Sequence, residues 1–316
     1  LMKALLLFSG GLDSMLAAEM LQAQGIEVTG LVFNSYFFDD EKAKESAKEV
    51  GIKLISKDFS KKHLVIVKNP KFGHGSSVNP CIDCHALMLS VGKEMFEKDD
   101  FDIFATGEVL SQRPFSQNKR AFDQIEKATG LEGRILRPVS ARCLPETVYE
   151  KEKLVDRDKL GKVTGKSRKA QMELVEEYEI EKFPSPGGGC RLTEKEFGVK
   201  VREILPFSEF TDTSDFELLR LGRHFWFRNK DNSLMYHAML GRNKEENKKM
   251  EALAKKGDSL ITIEDEKGPT ALVRLYGEAD SELENETRLA IKKQIWFFAK
   301  RKDEFDENKF NVHHLN

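Results

Sequence analysis

The chain has 316 residues, of which 40% are hydrophobic and 33% are charged, so it is long enough for two domains that each bury a core. Lys and Arg total 51 against 53 Asp and Glu, which excludes a polycationic arm that binds nucleic acid by charge alone but leaves room for a local basic face. Apolar runs such as 4–8 are far shorter than the roughly 18–20 residues that span a bilayer. We therefore expect a cytoplasmic protein with no membrane partner.

The first two thirds of the chain alternate short apolar runs with helical patterns. Residues 3–8 form an apolar run that is closed by Ser9-Gly10-Gly11, and apolar side chains then recur at helical spacing over 14–21. Further strands are predicted at 28–33, 53–55, 63–67, 101–105 and 135–139, and further helices at 40–50, 84–97, 116–128, 145–153 and 167–178. This alternation predicts an α/β fold with a doubly wound parallel sheet over about residues 2–205.

A different pattern follows the segment Pro-Ser-Pro-Gly-Gly-Gly at 184–189, which cannot continue a helix and is expected to present Cys190 and Arg191 on a tight loop. Short strands are predicted at 224–227, 233–237, 259–264 and 270–275, with helices at 244–255 and about 281–302. This pattern predicts a smaller C-terminal α+β domain. We place the two domains at 1–208 and 209–316.

The sharpest motif is Ser9-Gly10-Gly11-Leu12-Asp13-Ser14, between the first strand and the first helix. Glycines at this position let backbone N–H groups approach an anion at the helix N-terminus, so the motif favours a phosphate site. The alternative is an ordinary turn in which Asp13 or Ser14 caps the helix.

Four cysteines in a cytoplasmic protein are more typical of metal binding or catalysis than of disulfides. Cys81 and Cys84 open a predicted helix, whose N-terminus should lower the thiol pKa and favour thiolate. Cys190 is the natural third member, although two packed thiols, an incomplete zinc site or a redox pair stay open. His85 is expected to be a surface or supporting residue, and Cys143 to pack as a small apolar one.

The sequence SGGLDS resembles the PP-loop of the N-type ATP pyrophosphatases, which cleave ATP between the α and β phosphates and adenylate an oxygen. The resemblance implies an adenine nucleotide alpha hydrolase-like domain. It also implies an ATP site, with Mg²⁺ helping to neutralise the pyrophosphate and Asp13 counted among the catalytic residues. The residues that would cradle the pyrophosphate are Ser9, Gly10, Gly11, Asp13 and Ser14.

The PP-loop combined with Asn-Pro-Cys-Ile-Asp-Cys at 79–84 and a later Gly-Cys resembles the tRNA thiouridine synthetases. The cysteine segment is similar to that of the 2-thiouridylases, and Thr-Gly-Glu-Val-Leu-Ser-Gln at 106–112 with Leu-Arg-Pro at 136–138 is similar to the 4-thiouridine synthetases. The resemblance implies an ATP-dependent tRNA sulfurtransferase that replaces a uridine carbonyl oxygen by sulfur and releases AMP and pyrophosphate. The sulfur donor would be a cysteine desulfurase, a sulfur carrier or free sulfide.

One branch of these enzymes holds a 4Fe-4S cluster on a CxxC pair and a distant third cysteine, which Cys81, Cys84 and Cys190 resemble. In that case all three are ligands. Without a cluster, Cys84 and Cys190 would alternate as nucleophile and persulfide carrier. The cluster is favoured because it explains Cys81.

The THUMP region of the 4-thiouridine synthetases is not in this sequence, and we expect the C-terminal domain to replace it. Leu-Gly-Arg-His-Phe at 221–225, Gly-Arg-Asn-Lys-Glu-Glu-Asn at 241–247 and Gly-Pro at 268–269 resemble the RNA-binding module of NFACT proteins. The RNA contacts that this resemblance implies are Arg223, His224, Arg242, Asn243 and Lys244. Phe225 or Trp226 either stacks on a base or belongs to the core.

Two rival functions stay open beside tRNA thiolation. The first is a PP-loop ligase or amidotransferase that acts on a small molecule, although such an enzyme needs neither the three cysteines nor an RNA module. The second is a non-catalytic RNA-binding scaffold, against which the intact motif with Asp13 argues. Whether the protein forms a homodimer also stays open.

Overall fold

A computed structural model describes residues 1–185, 187, 189–264, 268–277, 285–299 and 304–315. The chain divides into two compact units, Leu1–Lys195 and Glu196–Asn316. The division comes earlier than the boundary expected at 208, because the helix before that point bonds within the second unit. Lys200 Nζ, for example, donates to the Leu219 carbonyl at 2.9 Å.

The first unit is built on the parallel strands β1 (Lys3–Leu7), β2 (Glu27–Asn34), β3 (Lys53–Asp58) and β4 (Ile103–Thr106). They lie in the order β3-β2-β1-β4. Because the order reverses at β1, right-handed crossovers place the helices before and after this point on opposite faces of the sheet. The predicted doubly wound α/β sheet is confirmed.

The helices of this unit are α1 (Leu12–Gln22), α2 (Glu41–Glu49), α3 (Ser60–Lys68), α4 (Cys81–Lys98), α5 (Lys119–Thr129), α6 (Val148–Lys151) and α7 (Lys169–Glu177). The strand predicted at 63–67 is wrong, because α3 occupies these residues. His63, Leu64 and Val67 are buried on one helix face, whereas Val65 is 68% exposed. A five-residue apolar run fits either a strand or one face of a helix, so the periodicity could not distinguish them.

The strand predicted at 135–139 is reduced to a single parallel bridge. Leu136 donates to the Phe104 carbonyl and accepts from the Thr106 amide, both at 2.9 Å, beside β4. A 3-10 turn then begins at Pro138, which has no N–H to continue the sheet. The sheet edge is extended here by one residue only.

Helix α4 lies directly against β4. A Cβ atom at Gly92 would come within 2.6 Å of Phe104 Cζ, so only glycine permits this approach. Phe96, one turn further along, stacks on the Phe104 ring with centroids 5.6 Å apart. The helix that begins with Cys81 is therefore held closely against the sheet.

The second unit contains an antiparallel sheet in the order β5-β6-β8-β7-β9. The strands are β5 (Arg223–Arg228), β6 (Met235–Leu240), β7 (Ser259–Ile263), β8 (Ala271–Tyr276) and β9 (Phe310–His314), and the helices are α8 (Lys195–Ile204), α9 (Thr213–Leu218), α10 (Lys244–Ala252) and α11 (Asn285–Phe298). The predicted α+β class is confirmed, although β9, α8 and α9 were not predicted. Both ends of the helix predicted at 281–302, and residues 186 and 188 of the predicted loop, lie outside the described residues.

A buried ion cluster joins α9 to this sheet. The Arg274 guanidinium donates to Asp258 at 2.9 and 2.6 Å and to Asp215 at 2.8 Å, and Tyr276 donates its hydroxyl to Asp215 at 2.6 Å. Lys255 Nζ, 3.4 Å from Asp215 Oδ2, supplies a second cation, so both carboxylates are compensated, which permits their burial. Among the helices of the described ranges, none is both long and apolar enough to cross a membrane.

Candidate functional site

The turn between β1 and α1 depends on glycine at one position. Gly10 has a φ of +72°, and a Cβ atom there would lie 2.5 Å from Ala43 Cα at the start of α2. Ser46 on α2 donates its hydroxyl to the Gly10 carbonyl at 2.8 Å. Helix α2 therefore holds the turn from one side.

The same turn presents free backbone donors. Gly11 is the N-cap residue of α1, and no side chain caps this helix; Ser14 Oγ instead donates to the Gly11 carbonyl at 2.7 Å. The alternative in which Asp13 or Ser14 caps the helix is therefore wrong. Within the described ranges, the N–H groups of Leu12 and Asp13 have no acceptor. Free donors at the positive end of a helix can bind an anion such as phosphate.

Gln171 on α7, which the sequence patterns did not single out, lies beside this turn. Its Nε2 donates to Asp13 Oδ1 at 3.3 Å, the side chain is fully buried, and its Oε1 has no hydrogen-bond partner among the described residues. An unsatisfied buried polar atom costs about 1–3 kcal/mol, so packing alone does not account for an amide here. The amide orients Asp13. The sequence did contain a signal for Gln171: it is a polar residue one turn before buried Val175, on the apolar face of α7.

The segment Thr106-Gly107-Glu108, which follows β4, touches the turn from the other side. A Cβ atom at Gly107 would lie 2.5 Å from Ser14 Cα. Because β1 and β4 are the strands at which the sheet order reverses, this contact lies at the crevice where doubly wound folds bind ligands.

Glu108 connects this crevice to α4. Its carboxylate lies 2.7 Å from His85 Nδ1 and accepts from Arg137 Nε at 3.0 Å and from Thr106 Oγ1 at 3.0 Å. Burial raises the pKa of Glu108, but the Arg137 guanidinium and the His85 hydrogen bond outweigh it and lower that pKa to about 2. His85 is thus a supporting residue, held on a permanently charged carboxylate.

The three cysteines share one neighbourhood. Cys81 and Cys84 occupy the first turn of α4, and Asn79 Nδ2 lies 3.2 Å from Cys81 Sγ. Cys190 comes next to Arg191, whose amide donates to the Phe37 carbonyl at 3.2 Å. The charges of Cys81 and Cys190 both act on Cys84.

The expectation that the helix N-terminus lowers the thiol pKa is wrong. Burial raises the pKa of Cys81, raises that of Cys84 further, and raises that of Cys190 to about 12. A helix N-terminus contributes about 0.3–1 kcal/mol at an exposed site, which does not offset removal of the thiolate from water. Arg113 acts in the opposite direction on Cys81 and Cys190.

Cys81, Cys84 and Cys190 are the candidate ligands for a metal ion or a cluster. In the part of the chain that the structure describes, no group of three His, Cys, Asp or Glu side chains is placed to hold a metal ion. The 4Fe-4S cluster on Cys81, Cys84 and Cys190 therefore stays a prediction. Cys143, expected to pack, is exposed instead, because it ends the surface 3-10 turn, where its Sγ donates to the Lys162 carbonyl at 3.2 Å.

The part of the chain that contains this arrangement is similar to a known protein family. Residues 2–143 match the family model described as thiamine biosynthesis protein (ThiI). This stretch contains the phosphate turn, the first two cysteines and Glu108 with both of its charged partners. Residues 2–143 are thus similar to the ThiI family, over less than half of the chain.

Curated relatives resemble part of the chain. A tRNA-specific 2-thiouridylase MnmA of Treponema denticola is 33% identical over 120 residues, which cover 34% of this chain and 33% of the relative. A probable tRNA sulfurtransferase of Finegoldia magna is 31% identical over 150 residues, which cover 46% of this chain and 38% of the relative. The chain thus spans about a third of the length of the curated relatives it matches.

Two solved structures are also similar. A 4-thiouridine synthetase in complex with RNA and bound ATP has 19% identity and a TM-score of 0.36, and the match covers 56% of this chain and 51% of that one. A predicted subunit of a tRNA methyltransferase from Methanocaldococcus jannaschii has 22% identity and a TM-score of 0.33, and the match covers 44% of this chain and 69% of that one.

The ThiI family match ends at Cys143 and does not reach the second unit, so RNA binding there stays a prediction. The side chains predicted to contact RNA differ in whether they already have partners within the protein. Lys244 is exposed, whereas Arg242 donates to the Gly222 carbonyl at 2.7 Å and Asn243 accepts from the Glu246 amide as the N-cap of α10. Asn243 therefore has a structural role as the cap of α10.

The aromatic end of β5 packs within the second unit. His224 Nδ1 lies 2.9 Å from His237 Nε2, and the Trp226 ring stacks on His237 with centroids 3.7 Å apart. Burial lowers the pKa of His224 to about 3, so this imidazole is neutral. Arg223 lies over the Phe298 ring at 4.2 Å, and Phe225 packs against the same ring. Phe225 thus packs against the core of this unit, whereas Trp226 stacks on buried His237, and both rings are half-buried.

Proposed function

We propose that the protein is an ATP-dependent tRNA sulfurtransferase, which adenylates a uridine carbonyl oxygen and replaces it by sulfur. One observation carries the proposal: a short path joins the thiols to the phosphate turn. Cys84 is followed by His85, His85 bonds Glu108, and the adjacent Gly107 touches Ser14. The path lies entirely within the segment that matches the ThiI family.

In the proposed first step, ATP binds with its phosphates at the turn, with Mg²⁺ neutralising part of their charge. The residues assigned to this site are Ser9, Gly10, Gly11, Asp13 and Ser14. The free amides of Leu12 and Asp13 support the assignment. The uridine oxygen attacks the α-phosphate, pyrophosphate leaves, and the oxygen becomes a good leaving group.

In the proposed second step, the terminal sulfur of a persulfide on Cys84 or Cys190 attacks the activated carbon and AMP leaves. The thiol of the other cysteine then attacks the inner sulfur and breaks the S–S bond, which leaves the transferred sulfur on the nucleoside and forms a Cys84–Cys190 disulfide. An external thiol reductant reduces this disulfide. A cysteine desulfurase or a sulfur carrier would load the cysteine by passing on the outer sulfur of its own persulfide, whereas free sulfide would attack the activated carbon directly. We assign the protein to the cytoplasm, where reducing conditions suit four free thiols.

AMP release in the presence of total tRNA and a sulfur source tests this function, with thionucleosides measured by mass spectrometry. Asp13→Ala should abolish the release of both pyrophosphate and AMP, whereas Cys84→Ala and Cys190→Ala should still release pyrophosphate but lose thionucleoside formation and the AMP release that accompanies it. Cys143→Ala is the matched control and should be fully active. If the unchanged protein releases no AMP under these conditions, the proposal fails; if it releases AMP only with a small-molecule acceptor, the adenylating ligase is correct instead.

Cys81→Ala distinguishes the two sulfur routes. Full activity of this variant, together with no iron in protein purified under anaerobic conditions, is expected for the persulfide pair. Loss of activity together with bound iron would establish the cluster.

We also propose that the second unit binds RNA, through Arg223, Arg242 and Lys244. The exposure of Lys244 supports this role. Lys244→Ala should weaken tRNA binding in a salt-dependent way without changing ATP affinity. An unchanged tRNA affinity would leave the unit with a structural role.

A further inference from the structure

Three segments of the first unit contain basic residues and no acidic ones, although the whole chain has a net charge of −2. The segments are 109–120, 138–145 and 160–171, and their basic residues are Arg113, Lys119, Arg120, Arg142, Lys162, Lys166, Arg168 and Lys169. Far apart in sequence, the three segments meet in the fold.

Ser140 ties them together. Its buried hydroxyl donates to the Val163 carbonyl at 2.7 Å and accepts from the Leu110 amide at 2.9 Å, so one side chain bonds all three segments. The Gly165 amide also donates to the Leu110 carbonyl at 2.8 Å. The basic residues around this junction are therefore held in fixed relative positions.

Six of these residues form what we call the basic surface: Arg113, Arg142, Lys162, Lys166, Arg168 and Lys169. All are exposed except Arg168, which is half-buried. Across the described ranges, none of the six has an ion-pair partner. The positive charge of this surface is thus available to a ligand.

The basic surface borders the proposed site. Its first segment follows the carboxyl end of β4, and Arg113 acts electrostatically on Cys81 and Cys190. Its third segment enters α7, where Gln171 contacts Asp13. A polyanion on this surface would therefore lie beside both the phosphate turn and the thiols.

We propose that the basic surface binds the phosphate backbone of the RNA substrate and so delivers the target nucleotide to the site; this inference rests on the proposed function. RNA is favoured over an acidic protein partner because these three segments carry no strongly exposed large apolar side chain within the described residues, whereas the centre of a protein interface is usually apolar. Unpaired Lys and Arg residues without apolar neighbours are typical of backbone contacts.

The test compares two triple variants of the full chain. Lys162→Gln, Lys166→Gln and Arg168→Gln remove three charges from the basic surface. Lys48→Gln, Lys98→Gln and Lys127→Gln remove three charges from the C-terminal ends of α2, α4 and α5, where these exposed residues form no ion pair within the described ranges. Binding of unmodified tRNA transcripts is measured by fluorescence anisotropy over a series of KCl concentrations, and ATP affinity and thermal denaturation check the fold.

The basic-surface triple should bind tRNA about tenfold or more weakly, and the slope of log affinity against log salt should fall by about 2 to 3. The control triple should bind as the unchanged protein does. Equal tRNA affinities for both triples would overturn the inference and leave the proposed function intact. Loss of thionucleoside formation with unchanged tRNA affinity would also overturn it, by assigning the surface to another partner. If the unchanged protein binds no tRNA, the proposed substrate fails as well.

Discussion

The contact between Gly107 and Ser14 leads to a quantitative prediction for Gly107→Ala. The new Cβ atom would lie 2.5 Å from Ser14 Cα and 2.8 Å from Ser14 N and Cβ, whereas ordinary contacts lie at 3.4–4 Å. The neighbouring atoms belong largely to backbone and cannot rotate away, so the two segments must separate by about 1 Å. We expect a loss of about 1–3 kcal/mol in the free energy of unfolding. A 1 Å displacement of the phosphate turn should lower the rate of AMP release about 100-fold.

Urea denaturation gives the first quantity, and steady-state AMP release with tRNA gives the second. Gly11→Ala is the control for stability, because its Cβ atom would meet only Ser9 Oγ at an ordinary 3.4 Å. The reasoning is refuted if Gly107→Ala unfolds at the same urea concentration as the unchanged protein and releases AMP within twofold of its rate.

Three further variants test other contacts. Gln171→Leu removes an unsatisfied buried oxygen together with the bond to Asp13, so we expect a free energy of unfolding within about 1 kcal/mol of the unchanged protein but AMP release at least about tenfold slower; unchanged AMP kinetics would contradict the orienting role. Arg137→Met leaves the Glu108 carboxylate buried without its cation and should cost about 3–5 kcal/mol in urea denaturation, and a loss below 1 kcal/mol would show that the carboxylate finds another partner. Burial lowers the pKa of His63 to about 3, while the unfolded chain has its ordinary value near 6.5, so the unfolded state binds the extra proton and stability falls as pH drops from about 6.5 towards 3. His63→Phe should remove this part of the dependence in urea denaturation between about pH 4 and 7, and an unchanged pH profile would count against it.

The sequence predicted the first unit well wherever a strand is buried on both faces. Such strands appear as continuous apolar runs, as at 4–8 and 103–105, and the glycines between the first strand and α1 mark the turn directly. The prediction failed at 63–67, where an aromatic pocket around His63 selects one helix face. This pocket contains distant Phe37 as well as neighbouring Phe59.

The candidate site was predictable in its motifs but not in its electrostatics. The sequence identified Cys84 and Cys190, yet the direction of their pKa shifts depends on burial by the whole fold, which no local pattern encodes. The network of His85, Glu108 and Arg137 joins three separate segments, so only their meeting in space reveals it.

The close packing of α4 on β4 has a consequence for the proposed exchange of sulfur between two cysteines, because it fixes the position of Cys84. With Gly92 seated on the Phe104 ring, the helix cannot slide along its axis without steric overlap, so Cys84 behaves as an anchored terminus. A change in the separation between Cys84 and Cys190 must then come from the chain that carries Cys190. Gly187 and Gly189 precede Cys190 by three residues and by one. A Cβ atom at either glycine would meet no neighbouring atom within 4 Å, so the space beside these two residues is open. The distance between the Cys84 and Cys190 sulfur atoms is thus changed by movement of Cys190 and not by movement of Cys84.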